Sequence, residues 1–268
     1  ADALLWEQQL TEPEITENLT LARCEDCALV QILEIVNPEV LFQRDYPYYS
    51  SVSPALMKHF GDSARDIMAT RDLGPNSLVM EAASNDGYML KNFVEAGIPV
   101  LGIDPAEGQV KVANENGVTS VNEFFTADFA RKLAAEGKRA DVFLANNVLA
   151  HVPDLNGFVE GIYTVLKDDG VAVIESPYLI DLMEKCEFDT IYHQHYSYFS
   201  ITALDRLFRS HNLYFNDVKR VSIHGGTIRM FVQRFENTQQ SIKDLLAMEA
   251  QLGVTGPEYY QDFADRVN

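Results

Sequence analysis

The sequence predicts an α/β protein: a mostly parallel sheet with helices on both faces, preceded by a small loop-rich lobe. Three observations lead there. Between residues 77 and 176, short apolar runs alternate with amphipathic stretches of helical length, the pattern of right-handed βαβ units. The run "FNDVKRVSIHGGTIRMFVQRF" differs, with two β-rich stretches joined through Gly225 and Gly226, and reads as an antiparallel pair closing the sheet edge. The first fifty or so residues carry neither period firmly; "LARCEDCALVQILEIVNPEVLF" is their only clear pattern.

In order along the chain, Leu56, Phe60, Ile67 and Met68 recur as on a helix from Ser53 to about Thr70. "SLVMEA" is a short apolar strand that runs into "ASNDGYMLKNFVEAG", a turn followed by a helix, and "VLGID" is the second strand. A helix through "GQVKVANENG" and a short strand around Val118 to Val121 follow. The helix "TADFARKLAAEG" ends at Gly137, a C-cap residue by type. "ADVFLANN" is the fourth strand. The helix after it shows Leu155, Phe158, Val159, Ile162, Val165 and Leu166 as a single stripe. "KDDG" reads as a turn and "VAVIES" as the next strand. After Asn237 the text is helical through "SIKDLLAMEAQLG". The domains expected are 1–52, the lobe; 53–237, the α/β domain; and 238–268, the start of a further domain. The chain opens without Met and closes on "YYQDFADRVN", text of a helix cut part-way, so a fragment of a longer protein is expected.

Composition narrows the function classes. Of 268 residues, 47% are hydrophobic and 23% charged, ordinary for a globular protein, and no apolar run approaches the roughly 20 residues of a membrane span. With 40 acidic against 21 basic side chains the net charge is −19, which disfavours nucleic acid and anionic membranes as partners. Three cysteines are too few for a disulfide framework, and a cytoplasmic setting is expected. The sequence does not set the oligomeric state.

In an open parallel sheet, ligands sit beyond the carboxyl ends of the strands. The first such end carries Ser84, Asn85, Asp86 and Gly87; Asp104 closes the second strand, near the roughly 20-residue spacing at which an acid meets ribose hydroxyls. An ordinary strand-end turn residue is the plainer reading of Asp104. A pyrophosphate needs the three glycines of G-x-G-x-x-G, and only Gly87 is present, which argues against NAD. S-adenosylmethionine has no pyrophosphate, and one tight polar turn suits its ammonium and sulfonium better. Phe124, beside Phe125, could cover an adenine or simply pack. Asn146 and Asn147 end the fourth strand, where ligand contact explains them better than packing does.

"EAASNDGYML", "ANNVLAHVPDLNGFVEGI", "FDTIYHQHYSYFS" and "HGGTIRMFV", in that order and spacing, resemble the sugar C-methyltransferases of deoxysugar biosynthesis over nearly the whole chain. The resemblance implies a class I methyltransferase-like (Rossmann-like) domain between an N-terminal zinc-binding lobe and a C-terminal α/β domain that helps bind the sugar nucleotide. It implies methyl transfer from S-adenosylmethionine to the carbon beside the ketone of a nucleotide-linked, often dTDP-linked, 4-keto-6-deoxysugar. Such a C–H is a poor acid, so a positioned base and stabilisation of the enolate oxygen are needed. By the match His195 is the base, Tyr192 orients substrate or enolate, His151 donates a hydrogen bond to the enolate oxygen, and Tyr46 reaches in from the lobe. Gln194 stands where the family commonly has Glu; it keeps hydrogen bonding and loses charge, which makes a neutral substituent in place of a sugar amine plausible. His193 and His195 would point the same way on a strand, so a metal or a structural pair are alternatives; His224 is a lesser candidate, or a turn histidine.

Cys24 and Cys27 have metal-knuckle spacing but are only half of a four-ligand zinc site, and the family's upstream Cys-x-x-Cys is absent before Ala1. A redox pair is a third reading. Cys186 is expected to be a buried small apolar residue. The competing functions are an O- or N-methyltransferase on the same scaffold, a nicotinamide-dependent sugar-nucleotide enzyme, and a methyltransferase-like subunit without activity.

Overall fold

The computed structural model describes residues 7–267 apart from Glu12, Glu14, Arg44 and Asp45. The lobe holds β1 (Leu21–Arg23), β2 (Val30–Ile32) and the short helix α1 (Pro38–Phe42). Helix α2 (Pro54–Thr70) starts cleanly because Ser53 accepts from the Leu56 amide and proline fixes the first turn. Then come β3 (Val79–Ala82), α3 (Lys91–Glu95), β4 (Val100–Asp104), α4 (Glu107–Glu115), β5 (Ser120–Asn122), α5 (Ala127–Ala135), β6 (Ala140–Asn146) and α6 (Leu155–Val165). The chain continues through β7 (Leu166–Pro177), α7 (Leu179–Lys185), β8 (Ser197–Tyr198), α8 (Ile201–Ser210), β9 (Tyr214–Val221) and β10 (Thr227–Gln233). It ends with α9 (Gln240–Leu252), α10 (Glu258–Gln261) and α11 (Phe263–Val267).

Seven strands form one sheet in the order β5-β4-β3-β6-β7-β10-β9. The first five run parallel, and β10 lies antiparallel to both β7 and β9, as the Gly225–Gly226 junction predicts. From β3 the chain winds outward through β4 and β5, then returns to place β6 on the other side of β3. That reversal opens a crevice at the strands' carboxyl ends.

The strand period of two divides the core. On β6, Phe143 and Ala145 face α5, α6 and α8, whereas Val142 and Leu144 face α2 and α3. Phe143, Phe158, Ile162 and Phe208 on one face, and Phe60, Ile67 and Phe93 on the other, are almost fully buried. Truncating any of these to alanine costs about 2–5 kcal/mol. Ile242 and Val254 bury in the first of these clusters, so α9 packs as part of the same core. The acid Glu249 of α9 is buried too, accepting from the Ile201 and Thr202 amides and the Tyr178 hydroxyl.

β8 pairs with β2, so the aromatic stretch itself closes the lobe's three-stranded sheet. Tyr196 and Tyr198 pack with Val30, Ile32, Leu179 and Leu182 and bolt the lobe to the α/β domain.

The "KDDG" segment lies inside β7 as an excursion from the ladder: β7 advances from Leu166 to Val171 while β6 advances only from Ala140 to Val142, and Lys167 forms an ion pair with Asp141 at 2.7 Å. Two expectations need correction. Cys186 is half-buried and left-handed (φ 53°), ending α7 rather than filling the core. Residues 191–196 are not a strand, so His193 and His195 diverge: His193 Nε2 donates to the Asn18 carbonyl, and His195 turns inward. A shared metal between them is thereby removed. Among the described residues no helix is long and apolar enough to cross a membrane.

Candidate active site

A cavity of about 900 Å3 lies at the carboxyl ends of β3, β4, β6 and β7, roofed by Asn37, Pro38, Phe42, Tyr46, Tyr48 and Ser50 of the lobe. One end is built from strand-end turns. After β3 the backbone takes left-handed angles at every second residue: Ala83 (φ 53°), Asn85 (φ 49°) and Gly87 (φ 80°). This is the conformation usually bought with glycine, and only one of the three positions has it. Left-handed geometry costs a non-glycine residue on the order of 1–2 kcal/mol.

The alternation sorts the side chains. Ala83 and Asn85 line the cavity; Ser84, Asp86 and Gly87, expected to bind a cofactor, are not among its lining residues. Ser84 is turned under the sheet: its Oγ lies 2.5 Å from where a Cβ on Gly102 would stand. Gly87 backs onto Val118, whose Cγ2 leaves only 2.9 Å for any added Cβ. Asp86 faces the lobe, where Oδ2 accepts from Ser51 Oγ at 2.5 Å and from its amide at 3.2 Å. Asn85 joins this latch, since its Oδ1 accepts from the Ser50 amide and its Nδ2 donates to the Tyr48 carbonyl.

Asp104 ends β4 at the cavity wall. Oδ2 accepts from the Asn85 amide and Oδ1 from the Ala106 amide, both at 2.8 Å. Burial pushes its carboxyl up to about 6 against the pull of these amides, with the Asp86 charge adding to the rise. Asn146 Nδ2 donates to Glu81 Oε1 at 2.9 Å, and burial raises Glu81 to about 8. Asn147 is left-handed (φ 52°), and its buried Oδ1 has no partner among the described residues. Phe124 lines the cavity, whereas Phe125 is core, 4.8 Å from the Phe143 ring. An acid at one strand end and an unpaired amide oxygen at another suit a ligand with a ribose diol and an ammonium group. The donor set therefore fits S-adenosylmethionine.

The other end is made of rings. Tyr46, His151, Tyr192, Gln194 and His195 all line the cavity, from three separate segments. The His151 and His195 ring centroids are 4.8 Å apart, those of Tyr192 and His195 are 4.4 Å apart, and Phe42 lies edge-on to His151 at 5.5 Å. His195 Nδ1 lies 2.7 Å from the Thr190 carbonyl and His151 Nδ1 lies 2.7 Å from the Gln194 carbonyl. A carbonyl only accepts, so both Nδ1 atoms carry a proton and donate it. With Nδ1 donating, the remaining ring nitrogen of each histidine is Nε2. Burial, reinforced by neighbouring His195, pushes His151 down to about 3 and keeps it neutral. Its expected role as donor to an enolate oxygen is therefore corrected: its one proton is committed to Gln194. The Tyr192 hydroxyl stands 3.3 Å from His195 Nε2.

A methyltransferase-domain model matches residues 57–217, more than half of the chain. The chain belongs to the methyltransferase domain family. A model described as a zinc-binding domain matches residues 1–42, and one described as a C-methyltransferase C-terminal domain matches 222–268, so the methyltransferase domain is flanked as the sequence motifs imply. C-methyltransferase NovU of Streptomyces niveus is 32% identical over 92% of this chain and 59% of its own length. A ubiquinone biosynthesis O-methyltransferase of Azorhizobium caulinodans is 26% identical over 47% of this chain and 48% of its own length. The chain thus spans about half to three-fifths of these two relatives. Among solved structures, magnesium protoporphyrin IX methyltransferase (ChlM) from Synechocystis with bound SAH superposes with a TM-score of 0.51 at 15% identity, covering 66% of this chain and 83% of that one. The PH0226 protein from Pyrococcus horikoshii gives 0.53 at 16% identity, covering 70% and 95%. These two show the fold: a class I methyltransferase architecture.

In this methyltransferase, Cys24 and Cys27 flank the β1–β2 turn as free thiols. Amides of Cys27 and Asp26 hold the Cys24 thiol below its ordinary value, whereas burial raises Cys27. Among the described residues no group of three or more metal ligands exists.

Sequence reasoning missed the latch and the floor of the site. Gln109 Nε2 donates to the Tyr46 and Tyr48 carbonyls and holds the roof from α4. Glu175 accepts from Arg229 Nε at 2.6 Å and meets His59 Nε2 at 2.8 Å, behind Asn147, whose amide donates to the Glu175 carbonyl. Glu81 and Glu175 stand out as acids inside apolar strands, a signal legible in principle. Nothing in the sequence joins His59 to Glu175.

Proposed function

We propose that this methyltransferase transfers a methyl group from S-adenosylmethionine to the carbon beside the ketone of a nucleotide-linked, dTDP-type 4-keto-6-deoxysugar. The observation that carries the reading is the tautomer of His195. Its Nδ1–H is held by Thr190, so Nε2 enters the cavity as a lone pair able to take a proton from carbon. In the resting site the Tyr192 hydroxyl donates to that lone pair; substrate displaces it and frees the hydroxyl for the developing enolate oxygen. The electron pair of the broken C–H bond passes through the enolate to form the new carbon–carbon bond. S-adenosylmethionine, when bound, supplies the methyl group as an electrophile and leaves with the carbon–sulfur bonding pair. Asp104 would hold its ribose hydroxyls, Asn147 and Asn85 its amino-acid end, and Phe124 the adenine face. Tyr46, on the roof, closes the substrate from water beside Gln194, whose neutral amide suits a substituent without charge. The relation to NovU supports carbon as acceptor, and the motifs supply the sugar class.

The test is a titration with S-adenosylmethionine beside one with NAD, then turnover of 4-keto-6-deoxysugar nucleotides by the full-length protein. Saturable S-adenosylmethionine binding and a product methyl at a carbon-bound NMR shift are expected. A methyl on oxygen or nitrogen would replace the acceptor assignment, NAD binding would sink the class, and full turnover by His195→Ala would leave only a binding role for the histidine.

A further inference from the structure

His151 has been relieved of the donor role the motifs imply, and its geometry assigns it another. Its Nδ1–H is fixed on the Gln194 carbonyl at 2.7 Å, in a loop held again by the Tyr196 amide on the Ala150 carbonyl at 2.7 Å. A flipped ring would set Cδ2–H against that carbonyl and lose the bond. So the atom of His151 left for a ligand is Nε2, a hydrogen-bond acceptor, one ring-width from the acceptor lone pair of His195.

Two adjacent acceptors constrain what can lie between them. An enolate oxygen gathers negative charge, and placing it against the His151 lone pair would oppose the reaction. The ketone must therefore face away from His151, toward Tyr192 and Tyr46, which also line the cavity. A group facing His151 has to donate.

We infer that His151 is a specificity-determining residue whose Nε2 accepts from a sugar hydroxyl beside the reacting carbon, so that the substrate class is a keto-sugar retaining that hydroxyl and its ketone is turned to the tyrosines. This rests on the proposed reaction and adds the substituent pattern and binding orientation of the sugar. Burial and the closeness of His195 keep His151 neutral, so the contact persists through the working pH range. A site built around a hydrogen bond to a hydroxyl rejects the analogue that lacks it, because the buried acceptor is left unpaired.

The experiment compares a dTDP-linked 4-keto-6-deoxyhexose with analogues lacking, one at a time, the hydroxyls of carbons 2 and 3. The full-length protein is used, as wild type and as His151→Asn. Asparagine Nδ2 can keep the bond to the Gln194 carbonyl and removes the Nε2 acceptor. Each kcat/KM ratio is taken within one preparation, so a variant that folds poorly still reports. The wild type should prefer the fully hydroxylated sugar to one of the two analogues by about tenfold or more. In His151→Asn that preference should fall toward one, while the loss on removing the other hydroxyl is unchanged. An unchanged preference in His151→Asn, or no preference in the wild type, overturns the inference and leaves the methyl-transfer reading standing. If the wild type methylates none of the sugars while binding S-adenosylmethionine, the substrate reading fails and the inference falls with it.

Discussion

The two ends of the cavity are built by different means. The cofactor end is backbone architecture. Ala83, Asn85, Asp104, Asn146 and Asn147 follow strands whose parallel pairing fixes their relative heights, and the amides of Asn85 and Ala106 set the Asp104 carboxylate directly. The histidine end is side-chain architecture on irregular segments. His151 sits in a single 3-10 turn and His195 in a loop, and Tyr46 hangs from a roof held by Gln109. The difference teaches where each function can fail. Damage at the cofactor end changes binding, because the ligand meets atoms the sheet has already placed. Damage at the histidine end should change turnover, because the aim of each ring is set by a single hydrogen bond to a carbonyl.

The largest effect expected is His195→Ala, which should lower kcat by about 10²–10⁴-fold with the S-adenosylmethionine Kd unchanged. A large shift in that Kd would erase the distinction between the ends. The next is Asp104→Ala, measured by calorimetric titration: loss of hydrogen bonds to a charged group should weaken S-adenosylmethionine by about 10- to 100-fold.

Protonation sharpens the same contrast. The Asp104 carboxyl is raised to about 6, so cofactor affinity should fall as pH drops through 6, and binding there should release a proton. The stability sign is opposite. A carboxyl raised from 3.8 to about 6 in the fold contributes stability that is complete below pH 3.8 and lost as pH rises through 6. Asp104→Asn should remove that component from the ligand-free unfolding profile between these pH values, and thermal melts across the range check it.

The latch between the ends comes next. Ser51→Ala removes a 2.5 Å hydrogen bond to Asp86, and should cost about 1 kcal/mol in denaturant unfolding and raise KM for both ligands a few-fold. Should only one KM move, the roof would serve one end alone. The smallest effect is at the turn: Ala83→Gly relieves left-handed strain and should change Tm by no more than about 2–4 °C, upward. Gly87→Ala should lower Tm instead, since φ is 80° and Val118 leaves no room.

Much of the fold was legible because its periods are local. Five of the six stripe residues lie on α6, with Leu166 opening β7, and the two β-rich runs around Gly225–Gly226 sit where they were expected. "KDDG" keeps its turn-forming character as a local excursion, since β7 advances from Leu166 to Val171 while β6 advances only from Ala140 to Val142. At the site, Asp104, Asn146, Asn147, Tyr192 and His195 were readable from strand ends and motif, and the structure brings all five to one cavity. Ser84, Asp86 and Gly87 were readable only as a turn, because the left-handed alternation that turns them outward depends on Ala83 and Asn85, which are not glycine.

The sequence by itself determined the order of strands and helices in the central α/β sheet, the acids and amides at strand ends, and the candidacy of His151 and His195. These follow from residue type and spacing along one segment. Only the tertiary structure decided the tautomers of His151 and His195, the Asp86–Ser51 latch and the Glu175–Arg229–His59 floor. Most of these contacts join residues far apart in the chain, and all depend on where a backbone carbonyl, a backbone amide or a neighbouring strand comes to lie after folding, which residue spacing does not encode.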